Sequence, residues 1–163
     1  VFVEIKQRID RTVQKRRWKM SCCRADQLLS GEGYDGEDVT GLEDVAYLRQ
    51  RYQLKPKIVV SYDRIPYVGR FDEDLRVTLD TNLRGHNGTL SDFGLREHGR
   101  HFLSNDQAVL EVKFNRMLPV WMSKQLARYN LMTERMSKYC HAVSLFWNPH
   151  VESQIVAPLL INN

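Results

Sequence analysis

The residues best suited to chemistry are Lys and Arg side chains that alternate with apolar residues along several predicted strands. The planar fork of Arg matches phosphate oxygens, and Lys adds a compact positive charge. Glu precedes Lys by two residues in Glu4/Lys6 and again in Glu111/Lys113, and on a strand this spacing places both side chains on one face. Such a carboxylate could hold a divalent metal while the Lys contacts a phosphate bound to that metal. The charged residues on these faces are Glu4, Lys6, Arg8, Arg64, Arg76, Glu111 and Lys113.

A half-exposed sheet also carries charges on its outer face, and alternation alone favours that ordinary interpretation. Three details favour a ligand-binding face instead. Arg predominates, the Glu-x-Lys pair occurs twice, and predicted helices could cover the apolar side of a barrel and leave its interior charged. The pattern therefore predicts a site for a phosphate-rich anion.

Composition restricts the class of protein. The chain has 163 residues, 42% of them hydrophobic and 27% charged, and a formal net charge of +4. These values predict one globular domain with an anionic ligand. The odd number of cysteines, two of them adjacent, argues against a disulfide framework and favours a reducing compartment. No signal peptide or membrane span is apparent, so the prediction is a cytoplasmic protein, with a tether through segments outside this chain left open.

The elements that must position these residues include both strands and helices. Stretches of period-2 alternation predict strands, and stretches with apolar residues three and four apart predict helices. The basic run Lys15–Arg17 follows the first strand without a clear assignment, residues 30–38 read as a Gly-rich loop, and residues 89–107 are poorly patterned. The predicted strands are 1–9, 57–68, 75–83 and 108–114; the predicted helices are 21–29, 42–52, one beginning at Pro119, and 134–146.

Seven blocks follow one another in a recognisable order: VFVEIK, LLSGE, LKPKIVVSYDRIPYVG, LRVTLD, VLEVKF, LPVW and SKYCHAV. In this order the chain resembles the VTC domain of the CYTH-like triphosphate tunnel superfamily, over roughly residues 1–145. The resemblance implies an α+β fold, an antiparallel β-tunnel flanked by helices. Because Val1 already reads as strand, we expect residues 1–163 to be a single VTC-type domain that lacks the first strands of the tunnel.

The resemblance also implies ligands and roles. The best-studied members of the family build polyphosphate from the terminal phosphate of ATP with a divalent metal, so the implied partners are ATP or another triphosphate, a polyphosphate chain, and Mn²⁺ or Mg²⁺. The family's metal-binding glutamate matches Glu111, and the bases that contact the reacting phosphates match Lys6, Arg64 and Arg76. Further ligand-contacting positions match Lys15 or Arg16 in the basic run, Tyr62, Lys113 and Lys138.

Three functions remain open at this point. The leading one is an ATP-dependent polyphosphate polymerase, and we expect the chain alone to be inactive without the missing strands. A triphosphate hydrolase of the same fold would use water as the acceptor; the VEIK block, in place of ExExK, disfavours it. A non-catalytic module could bind polyphosphate or inositol phosphates. Nucleic-acid binding is not predicted, because aromatic residues do not interleave with the bases.

Overall fold

A computed structural model describes residues 1–9, 12–31, 42–88, 99–147 and 160–162. The chain divides into two compact units, Val1–Pro56 and Lys57–Asn163. Each unit has its own sheet and its own hydrophobic core. The predicted loop at 32–38 and the segment 89–98 lie outside the described residues.

The first unit is an antiparallel hairpin with two helices. Strands β1 (Phe2–Ile9) and β2 (Thr12–Lys19) pair so that Glu4 lies opposite Arg17 and Lys6 lies opposite Lys15. Helices α1 (Cys22–Ser30) and α2 (Leu42–Tyr52) follow. Apolar residues from one hairpin face and from both helices form the core. They are Val3, Ala25, Leu28, Leu42 and Val45, with Ile5, Trp18 and Met20 packed around them.

Strand β2 was not predicted from the sequence, because its charges fall on both faces of the hairpin. Lys15 and Arg17 lie on the polar face opposite Lys6 and Glu4, whereas Arg16 lies opposite the core residue Ile5. Arg16 is tolerated on that side because it forms an ion pair with Asp44 of α2. A cation on the helix-covered face hides the alternation that normally identifies a strand.

The second unit contains the larger sheet. Its strands are β3 (Val59–Val68), β4 (Arg76–His86), β5 (Arg100–His101), β6 (Val109–Lys113) and β7 (Leu160–Asn162). The order is β3-β4-β6-β7, with β5 also paired to β4. All these pairings are antiparallel except β6 with β7, which is parallel.

Two helices lie against this sheet. Helix α3 (Val120–Arg128) contributes Met122 and Leu126 to a core with Val112, and helix α4 (Lys138–Trp147) packs against Val109. Because Val109 and Val112 are three residues apart on β6, the two helices contact opposite faces. Close approach of α4 requires Gly85 of β4, where an added Cβ would lie 2.7 Å from the Cβ of Ala142.

Helix α4 begins at Lys138, four residues later than predicted. The Ser137 hydroxyl accepts a hydrogen bond of 3.2 Å from the backbone N–H of Cys140 and so caps the helix at this point. This start places Lys138 in the first helical turn. The apolar residues that suggested an earlier start include Met136, which packs against the core from outside the helix.

The α+β architecture, with antiparallel strands and flanking helices, is confirmed. The described strands form open sheets, and none of these sheets closes into a barrel. The closed tunnel thus remains an expectation from the family resemblance. Among the residues described, no helix has the length and apolar character needed to cross a membrane.

Candidate functional site

The centre of the site is an ion pair between neighbouring strands that joins a buried carboxylate to a partly exposed guanidinium. Arg64 of β3 lies opposite Asp80 of β4, and its guanidinium donates from Nε to Oδ1 at 2.6 Å and from Nη2 to Oδ2 at 2.7 Å. Asp80 is fully buried, whereas the Arg64 side chain is 34% exposed. The pair therefore fixes the orientation of a cation that still reaches solvent.

Helix α4 adds a second cation to the same carboxylate. Lys138 places Nζ 2.8 Å from Asp80 Oδ2. The Tyr62 ring lies beside both cations, with its centroid 5.1 Å from Arg64 Cζ and 5.3 Å from Lys138 Nζ. Both distances are within cation–π range. A strand, a helix and an aromatic ring thus hold two positive charges close together.

Strand β6 supplies a third cation and a second carboxylate. Glu111 is 8% exposed and accepts a 3.3 Å hydrogen bond from Arg64 Nη2, and its other carboxylate oxygen lies 2.8 Å from Lys113 Nζ. Lys113 is opposite Arg76 of β4 in the strand register. Since Arg76 and Asp80 are four residues apart on one strand, their side chains share a face, and Arg76 extends the basic surface past Lys113.

The pKa values in this cluster follow from the pairing. Burial alone would raise the pKa of Asp80, but hydrogen bonds from Arg64 and Lys138 outweigh burial and hold that pKa below its ordinary value. The hydrogen bond to Asp80 raises the pKa of Arg64 above its already high value. Asp80 is therefore an anion and Arg64 a cation at neutral pH.

The first unit has a separate basic cluster on the polar face of its hairpin. Glu4 lies at its centre, with its carboxylate 2.8 Å from Arg17 Nε, 2.9 Å from Lys15 Nζ and 3.4 Å from Lys6 Nζ. The Glu4 side chain is 18% exposed, while the three cationic side chains are between 44% and 67% exposed. These cations are accessible to a ligand from solvent.

The Glu4 carboxylate is strongly acidic. Partial burial would raise its pKa, but hydrogen bonds from Lys15 and Arg17, with a further one from Lys6, lower the pKa to about 2. Arg16 does not join this cluster, because it lies on the opposite face of β2 and pairs with Asp44.

Of the residues selected from the sequence, Tyr62, Arg64, Glu111, Lys113 and Lys138 come together in the second unit, with Arg76 opposite Lys113. Lys6 and Lys15 come together in the first unit, and Arg16 lies apart from them.

Sequence reasoning did not identify Asp80 as a site residue. The sequence does place it on the right face, since Asp80 shares the polar face of a predicted strand with Arg76. Alternation does not distinguish it from a solvated carboxylate on the outer face of a sheet. Arg17 was missed for a different reason: the basic run lacked a strand assignment, so its faces were unknown.

Across the described ranges, no three His, Cys, Asp or Glu side chains cluster closely enough to hold a metal ion by themselves. Mg²⁺-type ions are often bound by one or two carboxylates together with substrate phosphates. Both carboxylates are paired with cations, but Glu111 keeps 8% exposure whereas Asp80 has none, so Glu111 fits that limited role better.

The described residues form an α+β domain with basic clusters on its strand faces, and comparison with known families places this domain. The family model described as "VTC domain" matches residues 1–147. The chain belongs to the VTC domain family. The match runs through both compact units and ends at the last residue of α4.

Two curated relatives carry the name vacuolar transporter chaperone complex subunit 4. The protein from Trypanosoma brucei brucei (strain 927/4 GUTat10.1) is 29% identical over 110 residues, covering 59% of this chain. The protein from Trypanosoma cruzi (strain CL Brener) is 30% identical over 104 residues, covering 57% of this chain. Each alignment spans only 13% of the relative's length.

Proposed function

We propose that the chain is part of an ATP-dependent polyphosphate polymerase, and that its basic clusters bind the phosphates of the donor and of the growing chain. Membership of the VTC domain family supports this function. The observation that carries it is the set of three cations, Arg64, Lys113 and Lys138, gathered from two strands and a helix around two carboxylates. Burying the two carboxylates costs desolvation free energy unless cations pair with them, so these charges are not simply those of a solvated surface.

The chemistry suits a site with no protein nucleophile. Phosphoryl transfer depends mainly on positioning and on neutralising charge in the transition state. The acceptor is a phosphate end that is already anionic, so a strong general base is not required. Arg64 and Lys138 are held in place by Asp80, and Arg76 and Lys113 extend the same basic face. These residues would bind and orient the triphosphate.

The hairpin cluster is proposed to bind further phosphates. Lys6 and Lys15 share a face around Glu4, with Arg17 as a third cation. Of the two alternatives in the basic run, this geometry favours Lys15 over Arg16 as a phosphate ligand, because Arg16 is occupied by Asp44 on the other face.

Glu111 is the proposed protein ligand for Mn²⁺ or Mg²⁺, with phosphate oxygens completing the coordination. The bound ion would supply additional charge neutralisation. We expect Mn²⁺ to strengthen tripolyphosphate binding by the wild-type chain and not by Glu111→Gln. An equal effect of Mn²⁺ on both proteins would show that Glu111 is not the ligand. Asp63→Asn, an exposed residue of β3 paired with Asn82, is a control that removes a carboxylate elsewhere.

The proposed function is tested by binding and by product analysis. Titration calorimetry should show tripolyphosphate binding that weakens as salt concentration rises, because ion pairs with phosphate are screened. Incubation with ATP and Mn²⁺, followed by phosphorus NMR, separates the functions. Chain phosphates would identify a polymerase and orthophosphate a hydrolase. Binding without turnover would leave the phosphate-binding module as the function of this chain alone. Absence of tripolyphosphate binding would overturn the proposal.

A further inference from the structure

Asp80 differs from the other charged residues of the site in having no exposed surface. Both its oxygens accept from cations: Oδ1 from Arg64, and Oδ2 from Arg64 and Lys138. A carboxylate so enclosed cannot contact a ligand in this conformation. A buried acid with full hydrogen bonding costs more to form than an exposed one, so it calls for a role other than ligand contact.

The pairing leaves a specific set of donors for a ligand. Arg64 donates from Nε and Nη2 to the carboxylates of Asp80 and Glu111. Among the described residues, its third nitrogen, Nη1, donates to neither of these carboxylates. A guanidinium fixed at two nitrogens cannot rotate about its Nε–Cζ bond without breaking the pair. The two N–H groups on Nη1 therefore keep one direction, and the Tyr62 ring supports one side of the group.

We propose that Asp80 is a positioning residue that orients Arg64 and Lys138 for phosphate, and that binding depends on this orientation more than on net positive charge. This inference rests on the proposed function. It names an acidic residue as a requirement for binding an anion, which is opposite to what simple electrostatics predicts. Asp80 acts through the two cations and does not touch the phosphate.

The sign of the effect separates the two explanations. In Asp80→Asn the negative charge is lost, and the amide offers one acceptor where the carboxylate offered two. If Asp80 were only a counter-charge, its removal would raise the local positive potential and tighten anion binding. If Asp80 positions the cations, Arg64 or Lys138 loses its anchor and binding weakens although the net charge has become more positive.

The test is titration of the 163-residue chain with tripolyphosphate. We expect Asp80→Asn to weaken binding at least tenfold. The matched control is Asp63→Asn, which makes the same charge change at an exposed position of β3 and should leave affinity unchanged or slightly higher. Equal or tighter binding by Asp80→Asn would overturn the inference. If the wild-type chain does not bind tripolyphosphate, the proposed function fails, which is a distinguishable result.

A second measurement remains decisive even if Asp80→Asn does not fold. In nitrogen-15 NMR spectra of the ligand-free wild-type chain, a held guanidinium gives a slowly exchanging Nε–H signal and separate Nη signals. The Arg64 signals are assigned by their loss in Arg64→Lys. We expect restricted rotation for Arg64 and free rotation for the exposed Arg128 of α3. Free rotation of Arg64 would contradict a positioning role for Asp80.

Discussion

The two basic clusters contain the same types of residue, but their side chains differ in how far they are buried. In the hairpin, one carboxylate, Glu4, serves three largely exposed cations supplied by two adjacent strands. In the second unit, the fully buried Asp80 is paired by Arg64 and by Lys138, whose side chain is only 17% exposed. The exposed cations of the hairpin cluster can thus change side-chain conformation, whereas those around Asp80 are held by elements distant in sequence.

The two clusters show that a lowered carboxyl pKa does not by itself mean a large contribution to the stability of the fold. Cations lower the pKa of both Glu4 and Asp80 below their ordinary values. Yet ion pairs with exposed partners contribute little to folding, because long side chains lose entropy and water screens their charges. A buried pair matters chiefly when it is broken, since the remaining charge then lacks a partner. The two clusters should therefore respond differently to loss of their carboxylates.

The largest expected effect is that of Asp80→Ala on folding. We expect the free energy of unfolding to fall by about 3 kcal/mol, at the lower end of the range for a broken buried pair because Arg64 is partly exposed. Urea denaturation would measure it. Asp63→Ala, which removes an exposed carboxylate and its hydrogen bond with Asn82, should cost about 1 kcal/mol. Equal losses in the two variants would mean that burial does not distinguish Asp80.

The next effect concerns binding. Arg76→Ala should weaken tripolyphosphate binding by about 1.5–3 kcal/mol, the value of a hydrogen bond to a charged group. Calorimetry would measure the loss. The free energy of unfolding of Arg76→Ala should differ from that of wild type by only about 0.5 kcal/mol, as for most surface substitutions. Arg128→Ala, on the helix against the opposite sheet face, is the control and should bind as wild type. A comparable loss in Arg128→Ala would indicate attraction by overall charge.

The sequence predicted those parts of the molecule that depend on local pattern. Alternation located β1, β3, β4 and β6 to within a few residues, and apolar spacing located α2. It missed β2, because the pairing of Arg16 with Asp44 depends on a helix more than twenty residues away. The face of β4 that carries Asp80 was predictable, but its burial was not, since burial depends on how β3 and α4 pack around it. Features that depend on contacts between residues distant in sequence therefore could not be predicted from the local pattern.

The smallest expected effect tests the hairpin by pH. The pKa of Glu4 is about 2 in the folded chain against an ordinary value of 4.5. Because the folded-state pKa is lowered, the contribution of Glu4 to stability is fully present above pH 4.5 and is lost as pH falls toward 2. Its magnitude should be about 1 kcal/mol or less, since its cationic partners are exposed.

Glu4→Gln isolates this contribution from that of the other carboxylates. Urea denaturation at pH 6 should show the variant to be less stable than wild type by up to about 1 kcal/mol. At pH 3 the difference should shrink, because Glu4 of the unfolded wild-type chain is then largely protonated, and this protonation favours unfolding. A constant difference between pH 6 and pH 3 would mean that the contribution of Glu4 to stability does not depend on its ionisation. A loss near 3 kcal/mol would remove the contrast with Asp80, because it would show that the exposed cations around Glu4 are held as firmly as the buried pair.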